Sequence, residues 1–192
     1  MKKKEDLRIL KTKASLYRGL MTLMKKKHFE DIKISEICSI SLINRSTFYD
    51  HFNDKYELIQ SLMNDMKNEL TLSLNLNIKS DNIKDYYIEV IRILLEHIDD
   101  NKNIYVSVSK INSNSIARDM MTDAVIDSVT KEIDTNFINE SNISTKSIVL
   151  FYASGVINVI IDNLNNSKNF DKDSILNIVE QLLPKLDFFV KK

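Results

Sequence analysis

In 192 residues the chain carries two glycines and one proline. Glycine is the residue that turns cheaply into the left-handed region, and proline is the one that stops a helix most sharply. A chain so poor in both is best satisfied by long helices joined by short polar connections. The apolar spacing agrees. Leu10, Ala14, Tyr17, Met21 and Met24 recur at intervals of three and four, which is one face of a helix from about Glu5 to Lys27.

The same reading continues along the chain. Two very short helices are expected around Ser35–Ile40 and Arg45–Phe52. From Asp54, a suitable N-cap, Ile59, Leu62, Met66 and Leu70 mark a longer helix running towards Asn77. Asp81 can cap the next, whose face is Tyr87, Val90, Ile91, Leu94 and Ile98. Asn101–Val108 reads as a short element, and Ile116, Met120, Ala124 and Ile133 to Phe137 as one helix. Ser144 can cap the apolar run through Ile148, Val149, Tyr152, Val156 and Ile160. Asp173 or Ser174 opens the last helix, which Pro184 should break at about Leu183. No alternating pattern suggests a strand. The expected fold is all-α, with a helical N-terminal domain over residues 1–55 and a helical C-terminal domain over 56–192.

Composition narrows the class of function. At 43% hydrophobic residues the chain can bury a sizeable core. A single cysteine, Cys38, excludes an internal disulfide framework and a cysteine-based zinc site, and suits a reducing compartment. Six of the first ten residues are charged, and no stretch is expected to approach the roughly 18 uncharged apolar residues of a membrane span. A cytoplasmic location and no membrane contact are therefore expected. The net charge of zero conceals an asymmetry. Residues 1–55 carry 13 Lys and Arg against 7 Asp and Glu, a net +6, and residues 56–192 carry 14 against 20, a net −6. A cationic front suits a nucleic-acid contact, because Lys and Arg displace phosphate counterions. The runs Lys2–Lys4 and Lys25–Lys27 are equally compatible with plain solvated surface.

The most informative stretch is Ile32 to Leu58, IKISEICSISLINRSTFYDHFNDKYEL. Two helices of about two turns persist only when packed against longer neighbours, as in a three-helix helix-turn-helix unit. That packing leaves the second short helix exposed on one side, and an exposed helix can enter a major groove. Asn44, Arg45 and Ser46 at its front are candidates for base edges. Thr47, Tyr49, His51 and Lys55 are candidate phosphate donors. Ile37, Ile43, Phe48 and Phe52 are the expected apolar partners between the two short helices.

The block S-T-F-Y-x-H-F-x-D-K-x-x-L, standing here as Ser46, Thr47, Phe48, Tyr49, His51, Phe52, Asp54, Lys55 and Leu58, resembles the TetR family of bacterial transcription regulators. Phe29, Ile32, Ile34 and Ile37 extend that resemblance over roughly residues 10–60. It implies double-stranded operator DNA as partner, with Thr47, Tyr49 and Lys55 on the phosphate backbone and Asn44, Arg45 and Ser46 at the front of the recognition helix. Three positions depart from the family pattern. Leu42 stands where glycine is usual in the turn, His28 where glycine precedes Phe29, and Lys33 where threonine opens the first short helix. Left-handed geometry at Leu42 would cost about 1–2 kcal/mol. Lys33 is a further candidate phosphate contact, although a cation there opposes the helix dipole.

The C-terminal segments EHIDDNKNIY (96–105) and FYASGVINVIIDNL (151–164) resemble the effector-domain subgroup that includes regulators of dihydroxyacetone utilisation. The resemblance implies a homodimer formed by the last two helices. Phe151, Gly155, Val159, Leu182 and Leu186 are candidate interface residues, with intramolecular packing of the same stripe as the alternative. Tyr87, Tyr105, Met120, Met121, Phe137 and Tyr152 are candidate lining for a small-molecule effector, with ordinary core as the alternative.

Enzymatic readings find little support. His28, His51 and His97 share no metal-ligand spacing, and two glycines cannot build a phosphate-cradling loop. Cys38 reads as a buried structural thiol. No cofactor is expected. Two regulatory readings remain, a DNA-binding regulator of the repressor type tuned by a small molecule, and one whose C-terminal domain binds a protein partner.

Overall fold

The computed structural model describes residues 7–75, 78, 80–109, 111, 115–166, 170–184 and 186–192. The basic run Lys2–Lys4 and the expected helix end at Asn77 lie outside them. The described residues form α1 (Leu7–Met24), a 3-10 turn (Phe29–Asp31), α2 (Ile34–Ser41), α3 (Arg45–Tyr49) and α4 (Lys55–Leu74). They continue through α5 (Ile83–Asp100), α6 (Lys102–Ser109), α7 (Ser115–Asn136), β1 (Phe137–Asn139), α8 (Thr145–Asn166), α9 (Lys172–Leu182) and β2 (Phe189–Lys191).

Helix starts are fixed by side-chain caps, several close to where the sequence puts them. Asp54 accepts the backbone N–H of Glu57 at 2.8 Å, while the Glu57 carboxylate accepts the N–H of Asn53 at 2.7 Å. Ser144 Oγ accepts the N–H of Ser147 at 3.2 Å. Two caps sit beside the expected residue. Asn82, not Asp81, accepts the N–H of Asp85 at 2.9 Å, and Asp171, not Asp173 or Ser174, accepts the N–H of Ser174 at 3.1 Å. The last helix ends at Leu182, with Leu183 extended (φ −74°, ψ 119°) ahead of Pro184, the backbone a residue before proline prefers.

The first three helices make a small head. α1 packs on α2, and the approach is close at Gly19. A Cβ there would collide with Ser41 Oγ and stand 3.1 Å from the Ile37 carbonyl oxygen. α4 leaves the head and enters the body, where α7 lies between α4 and α8 and also meets α5. Head and body are joined along α1 and α4. The Tyr17 hydroxyl donates to Asp65 at 2.9 Å and lies 2.8 Å from Ser61 Oγ. The expected domain boundary at residue 55 falls on the first residue of α4.

One expectation needs correction. Phe137 does not end a helix; it opens β1, which pairs antiparallel with β2 in the register Phe137↔Lys191, Ile138↔Val190 and Asn139↔Phe189. Strands of three residues are too short to show a period-two pattern, so the sequence carries no sign of them. α8 is long and apolar enough to cross a membrane by length and composition alone, although Lys146 and Asp162 lie within it. Here it is a core helix, and Ala153, Ile157 and Ile160 are fully buried.

Candidate nucleic-acid interface

Local sequence builds the α2–α3 unit around a few buried side chains. Ile37, Cys38, Phe48 and Phe52 are buried together with Leu16, Leu20 and Leu58, and Ile43 packs partly against them. Burial pushes the Cys38 thiol above its ordinary value. Between the helices Leu42 adopts the left-handed conformation (φ 55°, ψ 37°) with its side chain 91% exposed. That geometry closes the turn through Ile43 N–H donating to the Cys38 carbonyl at 3.0 Å. A leucine therefore carries the conformation a glycine would take without strain.

The start of α2 is held differently from the expected threonine cap. Lys33 has no acceptor oxygen, so only one half of a capping box forms, in which Glu36 accepts the Lys33 N–H at 2.9 Å. Lys27 completes the arrangement by donating to both Glu36 oxygens, at 2.7 and 2.6 Å. The bond from Lys27, followed by the one from the Lys33 backbone, holds the Glu36 carboxyl below the usual carboxylate range. The Lys33 side chain stays exposed.

On the outer side of α3 the structure brings together most of the candidate contact residues. Asn44 lies at the N-cap in extended conformation, and its side chain makes no cap hydrogen bond. Asn44, Arg45, Ser46 and Tyr49 are exposed, and Thr47 and His51 are half-buried. Tyr49 is held edge-on against the buried Phe48, with ring centroids 5.5 Å apart and planes at 84°.

Lys55 is placed otherwise than the sequence reading expects. Its ammonium donates to the carbonyl oxygens of Phe29 at 2.9 Å, Glu30 at 2.7 Å and Ile32 at 3.1 Å. It also lies 4.9 Å from the centre of the Phe29 ring. Three donors meet three acceptors, so this cation is occupied in tying α4 to the 3-10 turn. Which carbonyls it reaches depends on the tertiary fold, and nothing in the local pattern signals it.

A second feature lies on the body. Phe151, Gly155, Val159 and Leu182 line an open apolar groove of about 790 Å³ between α8 and α9. Phe151 and Leu182 are 73% and 76% exposed, and a Cβ at Gly155 would meet nothing within 4 Å. Leu186, expected with them, is buried at φ 57° in the segment leading to β2. Tyr152 lines this same groove.

The other candidate ligand residues, Tyr87, Tyr105, Met120, Met121 and Phe137, are buried in the body. The hydroxyls of Tyr87 and Tyr105 and Nε2 of His97 are buried without a hydrogen-bond partner. His97 stands edge-on to Tyr105 with ring centroids 5.9 Å apart. Burial raises both phenols and lowers the imidazole. His97 carries no metal-ligand spacing that would have singled it out. Among the described residues no group of three or more His, Cys, Asp or Glu could hold a metal ion.

Comparison with known proteins agrees with this architecture. The family model for the TetR-type transcriptional regulator C-terminal region matches residues 85–185. A stretch of 62 residues, 32% of this chain, is 37% identical to the uncharacterized HTH-type transcriptional regulator YxbF of Bacillus subtilis; the match spans 16% of that protein's length. Among solved structures, a TetR-family regulator from Syntrophomonas wolfei superposes with a TM-score of 0.73 at 15% identity, over 90% of this chain and 92% of the other. The dihydroxyacetone kinase operon activator DhaS superposes with a TM-score of 0.65 at 21% identity, over 93% and 98%.

Proposed function

The chain belongs to the TetR family of transcriptional regulators, and from that premise we propose that it binds double-stranded operator DNA as a cytoplasmic homodimer. It is a regulator and not an enzyme. In this reading α3 enters the major groove with Asn44, Arg45 and Ser46 at base edges. Thr47, Tyr49 and His51 reach the flanking phosphates from α3 and its C-terminal side, and Lys33 does so from the start of α2. Lys55 holds the head together rather than touching DNA. The observation that carries the reading is the front of α3. Asn44, Arg45 and Ser46 are exposed beyond a tight turn, and none of their side chains hydrogen-bonds within the head among the described residues.

Two copies would join through the groove between α8 and α9, which exposes more apolar surface than an isolated chain favours. The proposed mode of action is repression, relieved by a small-molecule effector bound in the body. Unpartnered hydroxyls on Tyr87 and Tyr105 support such a site, since a ligand could supply the hydrogen bonds they lack. The effector would act by favouring one of two dimer geometries that set the heads at different angles.

The test is binding of the purified protein to DNA upstream of its own gene at several salt concentrations, together with its mass in solution. Tight, salt-sensitive and sequence-selective binding by a dimer is expected. A monomer that binds this DNA no better than random DNA would sink the reading and favour a protein partner on the α8–α9 groove.

A further inference from the structure

The Lys25–Lys27 run is not absorbed by the DNA-facing surface. Lys27 is taken by Glu36, whereas Lys25 and Lys26 stay exposed at the end of α1, just where the head meets the body. α6 touches both α1 and α8. The end of α1, the start of α6 and the end of α8 enclose a cleft of about 580 Å³, within the ordinary range for small-molecule sites.

The chemistry of its wall is one-sided. Lys25 comes from the head, Lys102 and Asn103 from α6, and Asn163 and Asn165 from α8. Among the described residues no carboxylate lines the cleft, and neither lysine has an ion-pair partner. Phe170 forms an apolar side, with the Lys102 ammonium 6.0 Å from the centre of its ring. Asn163 is among the lining residues, and its Oδ1 is buried without a hydrogen-bond partner, an acceptor left unused by the protein. A smaller opening of about 280 Å³ shares Met24 and Ser107 with the cleft and adds Lys26 and His28 to the same rim.

We propose that this cleft binds a small organic phosphate, with its phosphate between Lys25 and Lys102 and its hydroxyls on Asn103 and Asn163. The lysines supply charge-assisted donors for the anion, the carboxamides both donate and accept, and the Phe170 side covers an apolar face. A sugar phosphate has that combination of groups. Occupancy would tie α1 of the head to α6 and α8 of the body, fixing one head angle. Neither Tyr87 nor Tyr105 is among the residues lining this cleft. Binding to it does not depend on the DNA-binding reading, although its effect on DNA does.

The experiment is calorimetric titration of the full chain, free of DNA, with glucose 6-phosphate, and with glucose and inorganic phosphate as separate probes. Glucose 6-phosphate is expected to bind more tightly than either part. Lys102→Gln and Asn163→Ala are each expected to weaken it on the order of tenfold without lowering the thermal midpoint of the unliganded protein. Absence of binding at millimolar glucose 6-phosphate overturns the proposal, and so does inorganic phosphate binding as tightly as the sugar phosphate. Lys102→Gln weakening DNA affinity in the absence of ligand would assign that lysine to DNA and overturn it too. Glucose 6-phosphate is further expected to shift DNA affinity in wild type and not in Lys102→Gln. Binding with no such shift overturns the coupling alone, and failure of the unliganded protein to bind DNA counts against the regulator reading alone.

Discussion

The Lys55 ammonium donates to the backbone carbonyl of Phe29 at 2.9 Å and stands 4.9 Å from the ring of the same residue. Backbone and side chain of Phe29 are gripped by one cation at the first residue of α4. With the carbonyls of Glu30 and Ile32 also bonded, Lys55 fixes where the head sits on α4. Lys55→Met should therefore lower stability by about 1–3 kcal/mol, read from the urea midpoint. The salt slope of DNA binding should stay as in wild type. A slope reduced by about one, with stability intact, would return Lys55 to the phosphate backbone.

Arg45 has the opposite character, exposed at the front of α3. Arg45→Ala should cost about 1–3 kcal/mol in operator affinity relative to random DNA, measured by competition binding at fixed salt. An equal loss on both DNAs would mean that the guanidinium meets phosphate and reads no base.

The groove between α8 and α9 gives a prediction about assembly. Phe151→Glu should convert the proposed dimer to a monomer by sedimentation while leaving the fold intact, because the side chain is 73% exposed in the single chain. Gly155→Leu adds a side chain where nothing lies within 4 Å, and it replaces a residue that costs a helix interior about 1 kcal/mol. Its protomer should be at least as stable as wild type and yet fail to pair. A dimer that survives both substitutions would place the interface elsewhere.

Glu36 makes the acid response of the head testable. Its carboxyl is held below the usual value by Lys27 and the Lys33 N–H. A depressed carboxylate contributes stability that is present above its unfolded value and is lost as pH falls through the lower folded one. Glu36→Gln should therefore melt below wild type at neutral pH, with the gap closing as pH drops below the carboxylate range. High salt should narrow the gap as well, since the pair is partly exposed. A gap that does not change with pH would show that the carboxylate's charge is not what holds α2.

The helices were legible because apolar residues recur at three and four over segments long enough to average out exceptions. Caps were legible to within a residue or two, as Asn82 beside Asp81 and Asp171 beside Asp173 show, because neighbouring polar residues offer the same acceptor. The left-handed turn at Leu42 was visible only through likeness to the family, since leucine itself gives no hint of φ 55°. Leu186 was misplaced because its spacing continues the stripe of α9, while Pro184 ends the helix and turns the residue inward. Lys55 and Gly19 depend on contacts across the tertiary fold, of which a periodicity contains no trace.

α4 begins at Lys55 in the head and ends at Leu74 in the body, a rod roughly 30 Å long at 1.5 Å per residue. The phenol of Tyr17 holds it close to mid-length, bonded to Asp65 and against Ser61, so a pivot there would make it a lever. A tilt of about 5° would carry one end some 2–3 Å relative to the other, by the arm length alone. In a symmetric pair the two displacements add, against half-sites that recur at roughly 34–36 Å along the duplex. In the proposed dimer, a few degrees of play at one hydroxyl would be enough to take the two heads out of step with the groove.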